Sequence, residues 1–169
     1  MKSIATNLLL FVLVFMLSCA QTKNKQNAEN VQQENKKLIT HIYKMFETGD
    51  ITMLEDIIHP DFIDHTQDPL IVQTGLEGLI ELIRVNSTAF PELLVKVYNI
   101  SAEGDMVYSH FNFSGKNTGM IHNSAPTQKF IDINGVDIIR VKDGKIIEHW
   151  GYWDTLKVLN QLGELEAVN

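Results

Sequence analysis

The rhythm of apolar and polar positions changes near the middle of this chain. Before Pro91 the spacing is helical. From Glu34 to Thr48 the apolar residues Leu38, Ile39, Ile42, Met45 and Phe46 recur at three- and four-residue steps and stop at Gly49-Asp50, which predicts a helix. Ile51 to Ile58 predicts a second, short helix with Leu54, Ile57 and Ile58 inward and Pro60 just beyond. Phe62-Ile63-Asp64-His65 reads as a short extended piece leading to a polar loop around Gln67-Asp68-Pro69. Glu77 to Ala89 predicts a third helix through Leu79, Ile80, Leu82, Ile83 and Val85. Beyond Pro91 the pattern is that of strands: Leu93 to Ser101, a turn at Glu103-Gly104-Asp105, Met106 to Ser114, Lys129 to Val141 and Lys145 to Trp153. Thr155 to Leu162 reads as a terminal helix. Three helices followed by strands predict an α+β domain, with helices covering one face of a curved antiparallel sheet and a pocket between the layers.

The last two strands carry the strongest chemical hint. They flank Lys142-Asp143-Gly144, and the loop length decides which side chains face each other. A two-residue Asp-Gly turn puts Asp137 beside Trp150. A three-residue turn with Gly144 as a left-handed bulge puts Asp137 opposite His149. The second sorts the strands better. Gly135, Asp137, Ile139, Ile147, His149, Gly151 and Trp153 then share the pocket face, while Val136, Ile138, Arg140, Ile146, Glu148, Trp150 and Tyr152 take the other. An acid facing an imidazole on an apolar face suits proton transfer, and it equally suits a buried, mutually satisfied pair.

The amino end reads as a targeting segment. Met1-Lys2 is a short basic start, Leu8 to Leu17 is apolar and uncharged, and Ser18-Cys19 follows. The apolar run is too short for a comfortable membrane span. Met16-Leu17-Ser18-Cys19 resembles a bacterial lipobox, and the chain has one cysteine, which leaves it no disulfide partner. The expected layout is a signal peptide over residues 1–18, an acylated Cys19 with a flexible tether to residue 33, and one domain over residues 34–169 at the bacterial cell envelope. The formal charge is −7, and loss of Lys2 leaves 13 basic against 21 acidic residues, or −8. That balance argues against nucleic acid as a partner.

Several short stretches, in order, resemble the SnoaL-like polyketide cyclases (ester cyclases) of the nuclear-transport-factor-2-like superfamily. They are Phe46-Glu47-Thr48-Gly49-Asp50, His59-Pro60-Asp61-Phe62, Gly75-Leu76-Glu77-Gly78, Glu103-Gly104-Asp105-Met106-Val107, Asn117-Thr118-Gly119, Ala125-Pro126-Thr127, Asp137-Ile138-Ile139-Arg140, Asp143-Gly144-Lys145-Ile146, Glu148-His149-Trp150 and Gln161-Leu162-Gly163. The resemblance covers roughly residues 35–163. It implies a cone-shaped fold with a deep apolar pocket and an aldol cyclisation that uses no metal or organic cofactor. It also implies that the family's acid/base aspartate falls at Gly151, which has no side chain to move a proton, and that Asp137 stands where the family carries a pocket histidine or another polar group. Asp137 and His149 are therefore the candidates for taking over proton transfer, with His65, near a stretch that lines the pocket mouth in relatives, as a third catalytic candidate. Phe46 and Leu82 match positions that shape the family's cavity. With His110, Gly151 and Trp153 they are the candidate ligand-binding residues, the facing of His110 being open from alternation.

His65, His110, His149 and Asp137 could mimic a metal site, but their scattered positions lack metal-type spacing, and no metal is expected. His122 is expected at the surface, and His41 and His59 in structural positions. On the outer sheet face Trp150 and Tyr152, with Val136 and Ile138, form an apolar stripe through which relatives pair, so a homodimer is expected. Two functions compete: cofactor-free acid/base chemistry (aldol cyclisation, isomerisation or hydration) on a small hydrophobic molecule, or binding of such a molecule without catalysis. The Asp137–His149 pair favours the first and Gly151 the second. An interaction domain using the outer face is a third.

Overall fold

The computed structural model describes residues 25–164 in full and the backbone of residues 2–24. Among the described residues four helices and five strands follow one another as α1 (Lys2–Thr48), α2 (Leu54–Ile57), β1 (Ile58–Asp64), α3 (Gly75–Ala89), β2 (Leu94–Glu103), β3 (Met106–Lys116), β4 (Phe130–Lys142), β5 (Lys145–Trp153) and α4 (Thr155–Leu162). The strands form one open, curved sheet in the order β1-β5-β4-β3-β2. All neighbours are antiparallel except β1 and β5, which run parallel, so the sheet is mixed rather than purely antiparallel.

Three expectations need correction. The tether is helical here: α1 runs without a break through residues 20–33. That stretch contains neither glycine nor proline, and Lys25–Glu29 and Gln26–Asn30 pair at helical spacing. No described side chain before Asn35 is buried, so nothing of the core depends on that part of the helix. The side chain of Cys19 and those of the leader lie outside the described residues, and among the described residues no helix is long and apolar enough to cross a membrane. The second helix shrinks to a single turn, because Ile58 and Phe62 enter the sheet as buried positions of β1.

The third correction concerns the hairpin. Lys142 pairs with Lys145, and Asp143 and Gly144 both have positive φ, 51° and 76°, so the turn has two residues of the primed type. A bulge between Arg140 and Val141 on one side and Ile146 and Glu148 on the other then slides the strands. Asp137 pairs with Gly151 and Ile139 with His149. Ile146, placed on the outer face by the simpler register, is buried in the core instead of Ile147.

The concave side of the sheet is covered by α1 and α3. Ile39, Tyr43 and Phe46 of α1 and Leu79, Leu82 and Ile83 of α3 are buried against Val107, Phe111, Phe113, Ile133 and Ile139 of the sheet. Phe111 packs 5.1 Å from the Tyr43 ring, and its own ring fills the space over Gly135, where a Cβ would collide with it. The connection between β3 and β4 is fastened to the end of α3. Asn117, 0 % exposed, donates to the carbonyls of Ala89 and Gly119 and accepts from the amide and hydroxyl of Thr127. α4 is capped by Asp154, which accepts from the Lys157 amide, and ends at the left-handed Gly163.

Candidate active site

Three strands set a row of small or acidic residues beneath Tyr43. Ser109 of β3 pairs with Asp137 of β4, and Asp137 with Gly151 of β5. His149, one step along the same face of β5, reaches diagonally to Asp137, with Nε2 at 3.3 Å from Oδ1. From the other side β1 delivers Asp64, whose Oδ1 lies 3.1 Å from His149 Nδ1. The Tyr43 hydroxyl donates to Asp137 Oδ2 at 2.9 Å. The result is a chain Tyr43–Asp137–His149–Asp64 with both imidazole nitrogens engaged by carboxylates.

Electrostatics follow from that arrangement. Burial alone would lower the His149 pKa, but the hydrogen bonds and charges of Asp137 and Asp64 outweigh it and raise the value to about 9. The ring is therefore an imidazolium at neutral pH, donating from both nitrogens. Burial pushes Asp64 up, yet its bonds from His149 and from the Thr66 amide and hydroxyl leave it below the usual carboxylate range. Burial, and next the charge of Asp137, drive the Tyr43 phenol far upward, so it stays a neutral donor. The Ser109 hydroxyl, in a residue 1 % exposed, has no hydrogen-bond partner beside this chain.

Asp137 and His149 open onto an otherwise apolar chamber of about 40 Å³, lined by Ile39, Phe46, Leu82, Ile139 and Trp153 among others. A wider cleft of about 600 Å³ lies beyond it, walled by Thr66 to Leu70, Asn86, Phe90, Ile121, His122, Gly151 to Trp153 and α4. Leu82 thus lines the chamber, Gly151 the cleft, and Phe46 and Trp153 both. At Gly151 a Cβ would sit 3.1 Å from Asp137 Oδ1 and 3.1 Å from His149 Cε1, so the position directly adjoins the Asp137–His149 pair.

Two candidates fall elsewhere. His65 follows Asp64 on the parallel strand, and alternation turns it outward, where it stacks on Trp150 at 4.4 Å and bonds Glu148 at 2.8 Å. It is part of an outer-face network with Arg140 and Asp105, not of the chamber. His110 is exposed on the same outer face and packs against Tyr98. Among the described residues no three His, Cys, Asp or Glu side chains gather as metal ligands. His122, expected at the surface, is instead partly covered and bonds Asp68 at 3.1 Å across the cleft mouth. Sequence reading missed Tyr43, Asp64 and Ser109. Tyr43 carried a signal, a hydroxyl amid the buried stripe of α1.

The family model of the SnoaL-like polyketide cyclases matches residues 36–162. Nogalonic acid methyl ester cyclase of Streptomyces nogalater is 27% identical over 120 residues, which span 70% of this chain and 90% of that protein. An uncharacterised PhzA/B-like protein of Pseudomonas aeruginosa is 27% identical over 140 residues, 79% of this chain and 93% of its own length. The structure of TsrD from Streptomyces laurentii superposes with a TM-score of 0.70 at 26% identity, covering 79% of this chain and 97% of that one. By sequence match and by fold alike, the chain belongs to the SnoaL-like polyketide cyclase family.

Proposed function

We propose that this protein binds a small, largely apolar carbonyl compound and moves a proton on it without a cofactor. Asp137 is the base, and Tyr43 and His149 are the donors. The observation that carries the reading is a carboxylate facing an apolar chamber while bonded to an imidazolium and a phenol. A C–H bond next to a carbonyl would break with its proton passing to an Asp137 oxygen and its electron pair to the carbonyl oxygen. Once Asp137 carries that proton it no longer needs the Tyr43 hydroxyl as a carboxylate does, and the Tyr43 O–H can turn to the developing enolate. Return of the proton to another carbon completes an isomerisation; attack of the enolate on a second carbonyl completes an aldol cyclisation. Deuterium exchange into 2-butanone, 2-octanone and ethyl acetoacetate in heavy water, followed by NMR, tests this. Catalysed exchange above the buffer rate is expected. Exchange at the buffer rate for all of them, with the ligands still bound, would favour the second reading, a binding protein, which Gly151 supports by supplying no acid where the family has one.

The surroundings of the site extend the proposal. The outer sheet face presents Tyr152 at 56 % exposure with Val136, Tyr108 and Ile138 around it, and a second copy of the chain would cover these residues. The apolar run before Ser18-Cys19 supports a location in the bacterial envelope on an acylated cysteine. Native mass spectrometry of the detergent-extracted full chain addresses both. A dimer whose protomers begin at Cys19 and carry a diacylglycerol mass is expected; a monomer, or a protomer that keeps its first 18 residues, counts against the respective half.

A further inference from the structure

Resting on the proton-transfer reading, we infer that the ligand is bipartite and that Trp153 sets its specificity. A compact carbonyl head enters the inner chamber and a longer apolar body lies in the outer cleft. The volumes favour such a division. About 40 Å³ accommodates roughly three water-sized groups, enough for a carbonyl and a methyl but not for a ring system. About 600 Å³ falls in the range that holds whole ligands of moderate size.

The two spaces share three walls, Phe46, Phe113 and Trp153. The first two are fixed in the core: both are 7 % exposed, and their ring centres are 5.9 Å apart. Trp153 is different. It is the last residue of β5, it is 40 % exposed, and it meets Phe113 only at 6.4 Å. It is therefore the one partition residue whose side chain can both limit what passes to Asp137 and flank what remains outside. Of the polar groups of the cleft, Thr66, Gln67, Asp68 and His122 stand on its loops and Asn86 on the last turn of α3, whereas Phe90, Leu93, Ile131, Ile133 and Val158 supply an apolar bed. That bed suits an alkyl or fused-ring body, and a position for the reacting carbonyl close to one end of it.

Two isomeric ketones separate this from simple apolar binding. 2-Decanone has a methyl beside its carbonyl, whereas 5-decanone has a butyl group on the short side, at equal composition. Calorimetric titration of the full chain is expected to show 2-decanone binding at least about tenfold tighter. Trp153→Ala joins the two spaces and is expected to bring the isomers to within about threefold, while Trp153→Phe keeps the preference and, by its thermal melt, shows that the site folds. Equal affinities in the wild type, or an unchanged preference in Trp153→Ala, would overturn the inference. If exchange into the short ketones persists in that case, proton transfer stands without the partition. If the wild type binds neither isomer and exchanges none of the short ketones, both ideas fall together.

Discussion

Asp137→Asn is expected to slow ketone deuterium exchange by about 10²- to 10⁴-fold and, in the same protein, to move the titration of His149 down from about 9. The second effect follows because Asp137 and Asp64 together pull that imidazole upward, and the substitution removes one of the two charges. Asparagine also has one acceptor oxygen where the aspartate uses both, one toward Tyr43 and one toward His149, so one of the two donors must lose its partner. A stability loss of about 1–3 kcal/mol accompanies that mismatch. The pH dependence has a definite sign. A histidine raised from 6.5 to about 9 on folding stabilises the protein fully below pH 6.5 and loses that contribution as pH rises through about 9. The total is about 3 kcal/mol. The lowered Asp64 works in the other direction, contributing above its unfolded value of 3.8 and losing its effect as acid brings the pH through its folded one. Thermal melts should therefore fall between pH 6.5 and 9.5 in the wild type, and fall less in Asp137→Asn. Histidine NMR showing His149 titrating near 6.5 in the wild type would remove the imidazolium from this account.

Much of this site could be read from the residues, for a reason that lies in strand geometry. A three-residue turn and a two-residue turn followed by a bulge both leave Asp137 and His149 on one face; they differ by a slide of two residues along the strand. The shared face was thus legible, and the direct pairing was not. The parallel contact between β1 and β5 was not legible either, because Ile58 to Asp64 gives no alternation clean enough to separate a strand from the end of a helix. That contact brings Asp64 to His149 and turns His65 outward. A single parallel pair thus reassigns two residues at once, adding one carboxylate to the dyad and removing one histidine. The chamber's small size comes from the packing of Phe46, Phe113 and Trp153, which depends on three segments far apart in the chain.

Gly119→Ala is expected to be among the most damaging single substitutions in the domain, although it adds only a methyl group. Asn117-Thr118-Gly119 is one of the stretches that mark the family resemblance, and its physical role is a close approach of two backbones. The amides of Thr118 and Gly119 both donate to the carbonyl of Ala89 at 3.1 Å, at the end of α3. A Cβ on Gly119 would land inside the van der Waals shell of the Thr88 carbonyl oxygen, and a backbone atom cannot rotate aside as a side chain can. Either the connection or the helix end must move. Moving the connection pulls on the buried Asn117 and its bonds to Ala89, Gly119 and Thr127, and it displaces Ile121 and His122 from the cleft wall. Overpacking of this kind costs about 1–3 kcal/mol, and loss of a buried amide's partners adds a comparable amount. A fall in melting temperature of about 5 °C or more is therefore expected, together with weaker binding of 2-decanone. Asn117→Ala should resemble it in the melt, since it releases the same connection from the other end. A Gly119→Ala protein that melts and binds like the wild type would show that the approach of the two backbones has slack that the observed geometry does not provide.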